Sequence, residues 1–394
     1  MAVSDSLREN IIAEIEKTGA RAREMADYIF DNPELGKMEF KAQKYLTDEL
    51  KRNGFSVETG TGTLPTAFRA EFDLQKPGPV VAFIAEYDAL PQIGHACHHH
   101  IIASSSVNAA IALSRLKEKL CGKIVVMGTP AEEGLGAKGA MNRNGAFKGL
   151  DVGLMFHGGS KNSTSLIVLA MDGVEFTYKG KAAHAAAAPH EGVNALDAVI
   201  LLFTSINALR QQLKQDVRIH GIINKGGDAV NIIPETAAAQ FYIRARERKY
   251  LNEVTEKVKN CARGAALQTG AELEITAFDD PCNNLLKNNI LIAEYERNFI
   301  SLGGEIDDRP FLLGSSDIGN LSYELPVIHP MVKTSGDGIA LHTQEFLKCG
   351  KDDIAYDAMM LGMKSMALTG ARVMLEPEFL RAVKEEFKAS IKGL

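Results

Sequence analysis

The sequence predicts an α/β fold: a largely parallel sheet with helices on both faces, interrupted by a ferredoxin-like βαββαβ domain. Three observations predict it. Uninterrupted apolar runs, among them Val80–Ala85 (VVAFIA) and Lys123–Gly128 (KIVVMG), alternate with helical patterns, as strands buried on both faces do. Near Met171 the pattern changes to strand, helix, two strands, helix and strand, the order of a complete split motif. The 394 residues also exceed one typical core, so two domains are expected. Residues 1–171 and 281–394 are read as one discontinuous domain, and 172–280 as a small domain inserted into it as a lid.

Each element has its own signal. Residues 6–30 place Leu7, Ile11, Ile12 and Ile15 on one helical face and stop at Asn32-Pro33, a helix terminator. A second helix over 39–53 ends at Gly54. After the strand Val80–Ala85, the small apolar stretch 101–116 reads as a helix packed on the sheet. Lys123–Gly128 is the next strand, 136–144 opens a helix and 152–156 is a third strand. The insert follows: strand 174–179, helix 194–213, strands Arg218–Lys225 and Thr236–Ala245, helix 248–270 and strand Glu272–Ala277. The chain then returns through a helix over 288–302, the segment FLLGSSDIGN, a strand-like PVIHPM and a closing helical stretch. There is no internal repeat and no low-complexity region.

Composition excludes several classes. At 45% hydrophobic and 24% charged the chain reads as an ordinary globular protein. A net charge of −6 offers no footprint for nucleic acid or an anionic membrane. No apolar run is long enough to cross a bilayer, and the charged, helical start does not read as a secretory signal. Five scattered cysteines argue against a disulfide framework and for a reducing, cytoplasmic home.

The chemistry lies where strands end. In an open α/β sheet, ligands bind beyond the carboxyl ends of the strands. Val80–Ala85 delivers Glu86 and Asp88, Lys123–Gly128 delivers Glu132 and Glu133, and 152–156 delivers His157. Carboxylates and imidazoles gathered at one edge repel or desolvate each other unless cations neutralise them. Cys97 and His99 in HACHHH, with Glu133, His157 and His342, offer the thiolate, imidazole and carboxylate set that divalent transition metals prefer. Glu132, beside one of these, reads as a base for an activated water. Taken singly, each residue has a plain alternative. A buried cysteine is usually core, a pair of glutamates is usually a charged loop, and four histidines within six residues can be an adventitious surface patch. Their joint placement decides for a metal centre.

These segments resemble the aminoacylase/carboxypeptidase family of dinuclear metallopeptidases, in its amidohydrolase branch. The resemblance rests on HACHHH, GTPAEEG, His157, the stretches 180–198 and 218–237, GSSDIGN and LHTQEF, in order from about Asn32 to Lys348. It implies a catalytic domain interrupted by a dimerising lid, hence a homodimer acting on a small amide substrate. It implies two divalent metals per chain, Zn or Mn, held by Cys97, His99, Glu133, His157 and His342. Glu132 matches the family's general acid/base, Asp88 the carboxylate that orients a metal-site residue, and His184 an oxyanion-supporting histidine. Asn231 and Arg244 match positions that hold the substrate's carboxylate or carbonyl, and His220 and Ser315 join them in the substrate-binding set.

One departure stands out. The family's usual segment is HACGH followed by Asn or Asp, and here His98 replaces the glycine and His100 the polar residue. In the shared register His99 is the ligand. If the segment is extended, Cys97 and His99 face the metals while His98 and His100 face away. The rival is coordination shifted to His98 or His100. Amide hydrolysis is therefore the expected activity, and a non-catalytic metal-binding or regulatory relative is the alternative.

Overall fold

A computed structural model describes residues 3–307 and 309–393. Helix α1 (Asp5–Asp31) starts at Ser4, whose side chain accepts a hydrogen bond from Leu7 N at 3.3 Å. Its buried stripe of Leu7, Ile11, Ile15, Met25 and Ile29 follows the helical repeat. After α2 (Phe40–Arg52) come β1 (Ser56–Thr59) and β2 (Phe68–Asp73), an antiparallel pair that the sequence analysis missed. In β2 buried Phe68 and Ala70 alternate with half-buried Arg69 and Glu71, the two-residue period of a strand. Next are β3 (Val80–Ala85), α3 (His99–Ser114), β4 (Lys123–Gly128), the single turn α4 (Glu132–Leu135) and α5 (Ala137–Arg143). Then β5 (Val152–Leu154), β6 (His157–Gly159) and β7 (Leu166–Val168) follow.

The main sheet has six strands in the order β1-β2-β4-β3-β5 and then Val327–Ile328 from the end of the chain. β4, β3, β5 and that last strand run parallel, while β1 and β2 form an antiparallel edge. Alternate residues feed two cores. Val81, Phe83 and Ala85 join one core with residues of α1 and α3, and Ala82 and Ile84 join the other with Val125 and Met127. Burial on both faces explains the uninterrupted apolar runs. Truncating Phe83 to alanine is expected to cost about 3–5 kcal/mol. All sixteen residues of α3 are buried, which its run of Ala and Ser permits. Ser104 donates to Ala22 O at 2.6 Å and Ser106 to Ile84 O at 2.5 Å, so these two hydroxyls are satisfied inside the core.

The small unit holds β8 (Ala170–Lys179), α6 (Ala195–Leu209), β9 (Arg218–Lys225), β10 (Thr236–Ala245), α7 (Arg248–Thr269) and β11 (Glu272–Ala277). Its sheet is antiparallel, ordered β11-β8-β10-β9, with both helices packed on it. Asn194 caps α6 by accepting from Leu196 N at 2.9 Å. β8 starts at Ala170, earlier than the expected 174, because Met171 pairs with Arg244.

The chain continues with α8 (Asn289–Ser301), β12 (Phe311–Gly314), α9 (Ile318–Ser322), β13 (Val327–Ile328), β14 (Met331–Lys333), α10 (Gln344–Lys348), α11 (Asp353–Leu375) and α12 (Pro377–Lys392). The strand-like PVIHPM is thus two strands. Pro330 cannot donate to a ladder, so β13 ends in the main sheet and β14 pairs with β6 instead. The expected strand 152–156 is correspondingly shorter: β5 ends at Leu154, and a separate strand with a new pairing begins at His157.

Contacts divide the chain into two units. One comprises residues up to Ile167, Leu285–Leu313 and Asp317 onward; the other comprises Val168–Asn284 with Gly314–Ser316. Ser315 therefore groups with the small unit and not, as the sequence reading had it, with the large domain. Among the described residues no helix is long and apolar enough to cross a membrane.

Candidate metal centre

β3, β4 and β5 are parallel, so their carboxyl ends lie at one edge and present their following residues together. Asp88 follows β3, and Glu132 and Glu133 open α4 after Ala131, which adopts a left-handed φ of 54°. His157 starts β6. His342 arrives from the far end of the chain, tied down where its N–H donates to Ala96 O at 3.0 Å.

The segment HACHHH is not extended, as the sequence reading assumed. His98 takes a left-handed conformation (φ 57°, ψ 33°) and His99 begins α3. This turn accounts for the glycine usual at that place, since a side chain there costs roughly 1 kcal/mol. The turn brings Cys97 and His99 to the same side, while His98 and His100 point into the protein. His98 pairs with Thr334 Oγ1 and Phe346 O, and His100 Nε2 donates to Gly350 O at 2.8 Å.

Cys97 Sγ lies 3.4 Å from His157 Nε2 and 3.5 Å from His342 Nε2. His342 Nε2 lies 3.4 Å from Glu133 Oε2, and His99 Nε2 lies 3.8 Å from Glu133 Oε1. Among the described residues four groups of ligand-capable atoms result: Cys97-His99-His157 and Cys97-Glu133-His342, which share the thiol, and His99-Glu132-Glu133 and Glu86-Glu132-Asp317. His99 Nδ1–H donates to Asp88, at 2.9 Å to its carbonyl and 3.0 Å to Oδ1, which turns the Nε2 lone pair toward the group. Asp88 Oδ2 also accepts from Glu133 N at 2.9 Å, so one carboxylate orients two of these residues. His157 Nδ1–H donates to Gly158 O at 2.7 Å, again leaving Nε2 free.

The donors fit divalent cations. Among the described residues His99 Nε2 and Glu133 Oε1 are buried without a hydrogen-bond partner, an arrangement that is costly unless something positive lies between them. A thiol, three imidazoles and a carboxylate suit zinc or a similar transition ion better than calcium or magnesium.

Electrostatics separates the two glutamates. Burial, then Glu86 and Glu133, pushes the Glu132 carboxyl well above its ordinary range. Burial also pushes Glu133 up, but the hydrogen bond from His342 and the nearby His99 overcome it and hold the carboxyl at about 2. The two adjacent carboxyls are thus driven apart in opposite directions. Burial alone would lower His99, yet Asp88 raises its imidazole well above the usual value. His157 is lowered by burial and by His99.

Several site residues carried no assigned role in the sequence. Lys138 Nζ, fully buried, donates to Glu86 Oε1 and to Asp317 Oδ1, both at 2.5 Å, and those two carboxyls flank Glu132. Burial raises Glu86, but Lys138 outweighs it and holds the carboxyl at about 2, whereas burial and Glu86 push Asp317 up to about 6. Glu39 Oε1 accepts from Ala131 N at 2.8 Å and from Lys37 N at 2.9 Å, fixing the left-handed turn before Glu132. Buried His329 stands with its ring 5.4 Å from that of His157. Glu39 and Lys138 sit in ordinary helical contexts, and only their burial marks them.

The remaining expected residues lie in the small unit. His184 is exposed, and its Nδ1 accepts from Ala186 N at 3.2 Å and Ala187 N at 3.1 Å, so its proton is on Nε2. It bridges to Ile232, next to exposed Asn231. The Arg244 guanidinium lies 5.6 Å from the centre of the Tyr242 ring and close to Gly314, the neighbour of Ser315. Among the described residues Arg244 Nε and Ser315 Oγ are buried without a hydrogen-bond partner. His220 faces Tyr242, ring centres 6.1 Å apart.

The fold and the grouped metal-capable donors fit a metallohydrolase, and comparison with known proteins agrees. Residues 170–269 match the peptidase dimerisation domain. The chain is 37% identical to Xaa-Arg dipeptidase of Mus musculus, over 98% of this chain and 93% of that protein. It is 29% identical to a p-aminobenzoyl-glutamate hydrolase polypeptide of Escherichia coli K12, over 94% and 93% of the two chains. A dinuclear metal-binding peptidase of the M20 family from Bacillus subtilis shares the fold with a TM-score of 0.71 at 18% identity, over 91% and 99%. The chain belongs to the M20 family of metallopeptidases and is an enzyme that hydrolyses amide bonds of small substrates.

Proposed function

We propose that this enzyme is a dinuclear dipeptidase or N-acyl amino acid amidohydrolase, with both metals held through Cys97. The placement of the Cys97 thiol between the His157 and His342 imidazoles, at 3.4 and 3.5 Å, carries the reading. His99 and His157 complete one group and Glu133 and His342 the other. Soft sulfur with imidazole nitrogen favours zinc, and manganese is the second choice.

Two divalent cations, when bound, acidify a water and polarise the substrate carbonyl. Glu132, one residue before the ligand Glu133 and 4.0 Å from His99 Nε2, takes the proton of the attacking water. The water oxygen bonds to the carbonyl carbon, the carbon–nitrogen bond breaks, and Glu132 passes that proton to the leaving nitrogen. Asp88 keeps His99 and Glu133 in register throughout. His184 is the proposed oxyanion donor, because two backbone N–H groups on Nδ1 leave Nε2–H to donate. Arg244 and Ser315, each with a buried polar atom lacking a partner among the described residues, suit the substrate's carboxylate, and Asn231 and His220 suit its polar backbone.

The name of the mouse relative makes dipeptides with a C-terminal arginine the first substrates to try, followed by aminobenzoyl-glutamate and simple N-acyl amino acids. A homodimer is proposed through β9, an edge strand exposed at all but one of its residues, with Ile222 and Ile223 in the open. A cytoplasmic home is consistent with five scattered cysteines. The non-catalytic alternative has no observation in its favour. Turnover of this panel by protein loaded with zinc or manganese, abolished by Glu132→Gln with metal retained, tests the reading. A fully loaded protein that cleaves none of these amides would refute it.

A further inference from the structure

His98 is the residue by which this chain departs from the pattern it otherwise follows, and its surroundings give it a task. The imidazole is buried, with Nε2 2.8 Å from Phe346 O and Nδ1 2.8 Å from Thr334 Oγ1. Because a carbonyl can only accept, Nε2 carries the proton and Nδ1 accepts from the threonine hydroxyl. Its ring stacks on Phe346, 4.0 Å between centres. One partner belongs to a segment bearing a proposed ligand, and the other to a segment paired with one. Phe346 lies in α10, four residues after His342. Thr334 follows β14, which pairs with the strand that begins at His157, and Thr334 N donates to Gly159 O at 2.8 Å. A Cβ placed on Gly158 would lie 2.8 Å from Thr334 Oγ1 and 3.0 Å from His98 Cβ, so the three pieces of chain are in close packing. His98 itself sits between Cys97 and His99.

We propose that His98 is a positioning residue, a clamp that fixes the Cys97–His99, His157 and His342 segments against one another and thereby sets the affinity of the metal pair. Glycine would meet the left-handed backbone more easily but would leave Thr334 and Phe346 without the side chain that joins them. His342 depends most on the clamp, since its own side chain is half exposed and its segment is otherwise tied by the bond from its N–H to Ala96 O. The group containing His342 therefore loosens first when the clamp is removed.

The inference rests on the ligand reading above, so the test keeps the two apart. Metal-free protein is titrated with Zn²⁺ alone, and the two dissociation constants are compared in the parent, His98→Gly, Thr334→Val, Thr334→Ser and Cys97→Ser. Loss of an outer-shell partner typically weakens metal binding about 10–100-fold. We expect a loss of that order at one site in His98→Gly, a smaller loss at the same site in Thr334→Val, and parental binding in Thr334→Ser. A merely structural defect would not produce this split, because a variant that remains folded and keeps its ligands placed binds both ions as before. Parental constants in His98→Gly, equal loss at both sites, or identical behaviour of the two Thr334 variants would overturn the clamp. Should His98→Gly fail to fold, the Thr334 pair decides alone. Parental binding by Cys97→Ser would instead refute the ligand reading, whereas a defective Cys97→Ser beside a parental His98→Gly would refute the clamp only.

Discussion

Replacing Lys138 by methionine removes the cation from a buried triad without changing its volume much, so the effect should be electrostatic and not a cavity. Glu86 Oε1 and Asp317 Oδ1 each lie 2.5 Å from Nζ, and all three side chains are buried. Breaking such a set leaves uncompensated charge, at about 3–5 kcal/mol. The carboxyls have one escape: they can share a proton, as paired acids do. At pH 8, protonating a carboxyl of ordinary pKa costs about 5 kcal/mol, at roughly 1.4 kcal/mol per pH unit; at pH 5.5 it costs under about 2. The sign follows. The variant's folded state has a carboxyl pKa above the unfolded value, so its destabilisation is full at high pH and fades as pH falls toward the unfolded pKa. Thermal unfolding of the metal-free protein is the assay. The loss near pH 8 corresponds to roughly 6–20 °C, at about 2–4 °C per kcal/mol, and should shrink at pH 5.5 to what under about 2 kcal/mol produces. A variant that melts within about two degrees of the parent at pH 8, or whose deficit grows on acidification, would refute the triad as a charge-compensating unit.

The other expectations are shorter. Glu132→Gln should retain metal and lose roughly 10²–10⁴-fold in turnover, whereas Glu133→Gln should lose metal, as element analysis beside steady-state kinetics would establish; swapped phenotypes would reverse the roles. Ile222→Lys on exposed β9 should shift the protein to monomer in sedimentation velocity without lowering its melting point, and an unchanged dimer would exclude that edge.

Much of this molecule was legible in its sequence because burial wrote it there. Val80–Ala85 and Lys123–Gly128 are buried on both faces, and their apolar runs located them to the residue. The alternation in β2 was equally present, yet the charged Arg69 and Glu71 that alternate with Phe68 and Ala70 disguised it. The turn at His98 was not legible, since a histidine carries no sign of a left-handed backbone. Glu39 and Lys138 escaped notice for a different reason. A lysine or glutamate in a helical stretch reads as solvated surface, and only partners distant in sequence, Ala131 for one and Asp317 for the other, reveal that it is buried.

The central claim is that two cations share the Cys97 thiol in a hydrolytic centre. Anomalous diffraction from crystals of zinc-loaded protein, recorded on both sides of the zinc edge, tests it most directly. The account predicts two peaks roughly 3.5–4 Å apart. Cys97 Sγ should lie within bonding distance of both, with His99 and His157 on one ion and Glu133 and His342 on the other. A single peak, or two peaks of which one lies away from Cys97, would contradict it.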